Sequence, residues 1–389
     1  MNSEITNIKL TPLHVPFKEQ VRKFMGEGKG GLGMAIAAEE AWLGGDIVIC
    51  QLETKDGFVG VGEAFVWLPE SGVSPEQIID AIKNCLAKYV LGKSPFNIEK
   101  INHRMDINLA LNENAKGLLD MACYDLMGKL TNNPVYNLIG GKFVDEIPLS
   151  ALIPLGSPML MKGLVRALYK DGYRSFRLKI GKNIQNDVEI LKTIRNTFGN
   201  EIRIRVDYNQ AYNPFMAVRA IKAIEPYGID YAEQPVNSSD YLGMAHVQKR
   251  VDTPLMAHEG FFSLKDFITL VELGAVGVLG IISGRPGGIT KTLRAMNYAR
   301  MRGLGIVLHD QPLGIASAMH IHLNTAFYNS IDYPTELFGH QMMEDDLLVD
   351  PLNYERGKVK VPDGPGWGVE LNQKALEKYA TQPTIVLEK

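Results

Sequence analysis

Cysteine is scarce in this chain of 389 residues: Cys50, Cys85 and Cys123 lie far apart and are odd in number. They match no zinc-ligand spacing and no disulfide framework, so small core residues in a reducing compartment are expected. No long block of one charge sign occurs, and the formal net charge is only -3. Nucleic acid and an anionic membrane surface are therefore not expected as partners. The most apolar stretch, AVGVLGII from Ala275 to Ile282, is too short to cross a bilayer. The opening MNSEITNIKL lacks the basic-then-apolar order of a secretory signal. These absences predict a soluble, cytoplasmic protein whose chemistry concerns a small molecule.

What is present is an ordinary globular composition, 46% hydrophobic and 22% charged, over a length that calls for one large barrel or two domains. The front of the chain mixes strands and helices without a repeat. ITNIKLTPLHV and DIVICQLETKDGFVGVGEAF read as strands, the second turning back at Asp56 and Gly57. SPEQIIDAIKNCLAKYV reads as a helix with Ser74 as cap, Pro75 in the first turn and Gln77 completing a capping box. An α+β unit over residues 1–140 is expected.

Over residues 141–345 short apolar runs alternate with amphipathic stretches: SFRLKIG then DVEILKTIRNTFG, IRIRVDYNQ then PFMAVRAIKAIEPYG, GIVLHDQ then IASAMHIHLNTA. Repeated β-α units imply a parallel sheet with crossover helices, and this many in succession favour a closed barrel. Residues 346–389 lack the repeat and are expected to return to the first unit. Gly28, Gly30 and Gly33 spell G-x-G-x-x-G, but no apolar strand precedes them. Dinucleotide binding is rejected, and a loop over the barrel mouth that excludes water and sorts substrates is expected instead.

The polar residues closing the barrel strands, Lys179, Asp207, Glu233, Glu259, His309 and Glu336, are separated by 28, 26, 26, 50 and 27 positions. Parallel strands deliver such ends to one mouth, where barrel enzymes keep their catalytic groups. Any one acid taken alone would as readily cap the next helix or pair with a cation. Asp207, Glu233 and Glu259 come from three consecutive strands and would repel one another without a cation between them. All-oxygen ligation points to Mg²⁺, with Mn²⁺ as the alternative. Arg177 and Lys179, two apart, face the same side of their strand. Like charge and desolvation both favour a deprotonated lysine, so Lys179 is the candidate general base. His309 is a second base or an acid across the ring.

SFRLKIG, IRVDYNQAY, YAEQP, PLMAHEG, PGGIT, PTELFGH and VPDGPGWGVEL resemble the mandelate racemase and muconate lactonizing enzyme branch of the enolase superfamily. LETKDGFVGVGEAF and DMACYDLMGKLTNNPVYNLIGGK extend the likeness to the front, so it runs through nearly the whole chain. The resemblance implies an α/β fold: a modified (β/α)₇β TIM-type barrel under an α+β capping domain formed by the N-terminal region and the C-terminal tail. It implies Asp207, Glu233 and Glu259 as Mg²⁺ ligands, Lys179 as base, and Glu336 as the acid that hydrogen-bonds a substrate carboxylate. His309 takes the racemase-type histidine position. Arg177 stands where lysine is commoner and is expected to stay charged and serve the enolate or the carboxylate. His258 replaces an acid of muconate-type members, which makes Glu259 the expected ligand. Ile282 replaces the Asp or Lys of the two branches, leaving His309 without its orienting carboxylate. Asn209, Gly28, Gly30 and Asp310 are expected to meet the substrate.

The expected enzyme removes the α-proton of a small-molecule carboxylate to give an enediolate, with dehydration of an acid sugar as the leading outcome. Racemization or epimerization and muconate-type cycloisomerization are the alternatives on the same scaffold. A barrel that binds metal and carboxylate without turnover is the more distant one. A homo-oligomer is expected.

Overall fold

The computed structural model describes residues 3–26, 43–282, 284–309 and 313–389. Strand Ile5–Pro16 pairs antiparallel with Gly44–Thr54, which folds back onto Val59–Val66. Gly57 takes a φ of +83° in that turn, a conformation glycine adopts without strain. The last strand, Ile385–Glu388, joins the free edge of Ile5–Pro16, so the tail completes a four-stranded sheet. Helix Pro75–Ala81 starts at the capping box of Ser74 and Gln77. The long helix Glu113–Thr131 lies against the sheet at backbone contact. A Cβ at Gly60 would meet Ala122 O at 2.3 Å, and one at Gly62 would meet Leu118 O at 2.4 Å.

Seven parallel strands follow one another across the second sheet: Ser150–Ile153, Ser175–Lys179, Arg203–Asp207, Ala232–Glu233, Leu255–Ala257, Val278–Ile281 and Gly305–Leu308. Each is followed by a helix, the last being Gly314–Ala326. Residues 335–336 tie the two edges together: Ser150 N donates to Thr335 O at 2.7 Å, and Glu336 N donates to Leu308 O at 3.3 Å. Tyr231, Met256, Val278 and Val307 fill the interior below the mouth. The tail also reaches the barrel's entry, where Lys358–Lys360 pairs with Glu146–Pro148. Among the described residues no helix is long and apolar enough to cross a membrane.

Trp367 locks the tail to both units. Its indole is fully buried and donates to Val61 O at 3.0 Å, and its own N–H donates to Asp125 at 2.8 Å. His322, on the last barrel helix, donates from Nε2 to Trp367 O at 3.0 Å and accepts at Nδ1 from Tyr136 N at 3.0 Å. Burial drops the His322 pKa to about 4, so the ring is neutral and can play both roles. Trp367→Ala is expected to destabilise the protein by about 3 to 4 kcal/mol, from the lost burial plus the cavity. Urea unfolding of the variant against the parent measures this, and a change under about 1 kcal/mol would deny Trp367 the locking role.

Candidate active site

The register of the strands brings the key side chains into one row. Lys179 pairs with Asp207, Asp207 with Glu233, and Glu233 with Met256. Paired residues in a sheet share a face, so lysine and both carboxylates point to the barrel interior. Lys179 Nζ donates to Asp207 Oδ2 at 2.5 Å and to Asn209 Oδ1 at 2.6 Å. Asn209 in turn donates to Glu259 at 3.0 Å, so it links Lys179 to the acid that follows the fifth strand.

One layer down, Arg177 pairs with Arg205 across the same two strands, and both are almost wholly buried. Arg177 lies 3.2 Å from Glu233, 3.8 Å from Asp207 and 3.5 Å from Glu336. Glu336 is buried and also lies 3.1 Å from Arg205, so two guanidiniums share it. Arg177 Nη1 also contacts His309 Nδ1 at 3.3 Å. A guanidinium only donates, so Nδ1 accepts and the proton of a neutral His309 sits on Nε2. Gly280 makes room for this ring: a Cβ there would lie 2.9 Å from His309 Nε2.

His258, not singled out as a ligand by the sequence, stands among three carboxylates: Nδ1 is 3.6 Å from Glu70, 3.6 Å from Glu233 and 3.5 Å from Glu259. Parity explains its place. Met256 is in row with Glu233 and faces the interior, so His258, two residues on, shares that face, whereas Glu259 is out of step. Glu233, His258 and His309 each offer a ligand atom, all within 4.8 Å of one another and all buried. This is a carboxylate and histidine group suited to a divalent cation. Asp207 and Glu259 fall outside that group, Asp207 held by Lys179 and Glu259 by Asn209. Burial pushes the Glu233 carboxyl up to about 8 against the pull of Arg177, the burden a bound cation would relieve. Burial also opposes ionisation of Glu259, but His258 and Asn209 outweigh it and hold that carboxyl to about 2.

The capping unit adds Glu70, from the short helix Leu68–Ser71, which pairs with Arg285 beyond the sixth barrel strand. Arg285 donates to His258 O at 2.9 Å and lies 4.0 Å over the Phe262 ring. A small cavity of about 30 Å³ between cap and mouth is lined by Phe65, Trp67, Glu70, Asn114, Ile282 and Arg285. A roomier recess of about 800 Å³ runs along the capping sheet by Lys9, Glu53, Leu376 and Thr384, away from the row of strand ends. Gly28, Gly30 and Asp310 lie outside the described residues. Arg205, His258, Glu70 and Arg285 join the site, His258 against the preference for Glu259 in its place and the other three without having been singled out. Strand alternation could have flagged the first two, whereas nothing local marks Glu70 or Arg285.

Residues 35–140 match the mandelate racemase / muconate lactonizing enzyme N-terminal domain, and residues 160–375 match the enolase C-terminal domain-like family. The N-succinyl-L-Arg/Lys racemase of Bacillus cereus is 32% identical over 341 residues, 87% of this chain and 91% of that protein. The hydrophobic dipeptide epimerase of Enterococcus faecalis is 33% identical over 71% of this chain and 78% of its own. Muconate cycloisomerase 1 of Acinetobacter baylyi is 28% identical over 85% and 91% of the two chains. The crystal structure of the Bacillus cereus racemase superimposes with a TM-score of 0.88 at 28% identity, covering 99% of this chain and all of the other.

Proposed function

The chain belongs to the mandelate racemase and muconate lactonizing enzyme family, and from that premise we propose that it is a divalent-cation-dependent racemase or epimerase of a small carboxylate. The relatives above are isomerases, so isomerization takes precedence over the dehydration expected from the sequence. The observation that carries the reading is the row of Lys179, Asp207 and Glu233 above a buried guanidinium. A proton next to a carboxylate is weakly acidic, and its removal puts a second negative charge on the substrate.

Lys179 takes the α-proton on Nζ, and the C–H electron pair moves into the carboxylate to give an enediolate. Arg177 stays cationic and offsets the new charge. A bound divalent cation supplies the remaining charge stabilisation. Glu233 would hold it, with Asp207 beside it and either His258 or Glu259 in third place. Of the grouped histidines, His309 is engaged by Arg177 at Nδ1 and keeps its Nε2 proton, so His258 is favoured as the ligand, and imidazole ligation moves the preference from Mg²⁺ toward Mn²⁺. His309, neutral with its proton on Nε2, returns a proton to carbon from the other side, and Arg177 beside Nδ1 stabilises the ring that has given it up. Asn209 orients Lys179. An N-succinyl amino acid and a dipeptide are both N-acylated α-amino acids with a free carboxylate, and that class is the proposed substrate.

Incubation with Mg²⁺ or Mn²⁺ and a panel of N-acyl amino acids and dipeptides in D₂O tests the reading. Loss of the α-proton NMR signal together with loss of optical rotation is expected, abolished by chelation and restored by the cation. A 2-keto product would return the chain to dehydration. Cyclization of a muconate without inversion of any amino acid derivative would favour cycloisomerization.

A further inference from the structure

We infer that the capping unit supplies the N-terminal caps of two barrel helices, through Asp120 and Glu63, and thereby positions the helix starts that follow Arg285 and His309 at the mouth. A helix leaves its first amide N–H groups unsatisfied unless a side chain accepts them. The earlier barrel helices carry their own acceptors: Ser157, Asn183, Asn213, Asp240 and Ser263 each accept a first-turn amide of the helix that follows. The last two do not. Helix Ile289–Met301 begins after Gly288 and Gly314–Ala326 begins after Leu313, and neither residue makes a side-chain cap.

The missing acceptors come from the other unit. Asp120, fully buried on the long capping helix, accepts from Thr290 N at 3.0 Å and Thr290 Oγ1 at 2.6 Å, and Asn102 holds it at 2.7 Å. Glu63, buried on the capping strand Val59–Val66, accepts from Ile315 N at 3.0 Å and Ala316 N at 3.1 Å. These amides lie in the first turns of their helices, where a cap belongs. The backbone is shaped for it: Gly288 has a φ of +87°, and a Cβ there would lie 2.5 Å from Asp120 Oδ2. A Cβ on Gly117 of the capping helix would meet Gly288 N at 2.7 Å. Leu313 is buried and apolar, so its helix has no polar substitute. The helix starts so fixed are those that follow the sixth and seventh strands, at whose ends Arg285 and His309 stand. Docking of the cap and assembly of that side of the mouth are thus one event.

The positioning role rests on the mouth being the site of reaction, whereas the capping itself does not, so amide hydrogen exchange tests it independently. Asp120→Leu and Glu63→Met remove the acceptor at similar volume; Asp120→Asn and Glu63→Gln keep one accepting oxygen. Exchange is expected to rise about fivefold to tenfold in residues 284–293 for the leucine variant and 313–319 for the methionine variant. Asparagine and glutamine should hold it near the parent, and residues 264–272, which own a cap, should not change. In the proton-exchange assay kcat falls in the apolar variants and not in the amide ones. Adding Leu313→Ser to Glu63→Met gives the last helix its own cap and restores its protection, or its folding if the single variant fails to fold. Parent-like exchange in both apolar variants, an equal rise in every barrel helix, or no rescue by Leu313→Ser overturns the inference. Absence of α-proton exchange in the parent with normal exchange results would sink the proposed reaction alone.

Discussion

Lys179→Ala is expected to lower α-proton exchange by about 10⁴-fold, the upper range for loss of a general base, while the fold and cation binding persist. Lys179 is 6% exposed, and its Nζ is fixed by Asp207 and Asn209. Removing it leaves Arg177 still 3.8 Å from Asp207, so the carboxylate keeps a cationic neighbour. The sharper variant is Lys179→Arg. If the lysine only balances the charge of Asp207, arginine should preserve most of the activity. If it carries the proton, arginine should fail like alanine, because a guanidinium does not give up its charge. Deuterium wash-in by NMR, circular dichroism and a Mn²⁺ titration separate these outcomes. More than a tenth of parental exchange in the arginine variant would remove Lys179 from the base role.

Glu63 should impose a pH dependence on stability that Glu63→Gln lacks. Burial raises its carboxyl from 4.5 to about 8, opposed by the Ile315 and Ala316 amides and aided by Asp346. Below the unfolded value both states hold the proton and the neutral carboxyl's contribution is fully present. Between there and about 8 the unfolded chain releases the proton and the folded one keeps it, so stability falls as pH rises. The total is up to about 5 kcal/mol. Glutamine stays neutral throughout, accepts the same amides and removes the slope. Asp346 and Tyr354 also face Glu63: the tyrosine is pushed up and stays neutral over this range, and the repulsion from Asp346 is part of the Glu63 difference itself. Urea midpoints from pH 5 to 9 should converge with the glutamine variant at the acid end and fall below it at the alkaline end. Parallel curves would mean that Glu63 ionises normally and is held by its helix as a carboxylate.

Much of this molecule was readable from local pattern. The turn at Asp56 and Gly57, the capping box at Ser74 and the alternation of short strands with amphipathic helices depend on residues a few positions apart, and all recur in the structure. Lys179, Asp207 and Glu233 were readable too, because neighbouring parallel strands in register bring their last residues into one row. The spacing of 26 residues extended that row to Glu259, but spacing does not carry side-chain parity past the end of a strand. Alternation counted from Met256 selects His258 instead, and the structure places it 3.6 Å from Glu233.

Sequence by itself therefore determined the barrel, its cap and the row of Lys179, Asp207 and Glu233, since periodicity and strand order are properties of neighbouring residues. Tertiary structure alone decided that Glu70 meets Arg285, that Arg177 sets the tautomer of His309, and that Asp120 and Glu63 finish helices of another unit. Those partners are separated by more than a hundred residues and carry no local mark. Their pairing follows from how two packed units bury charge and unsatisfied backbone together.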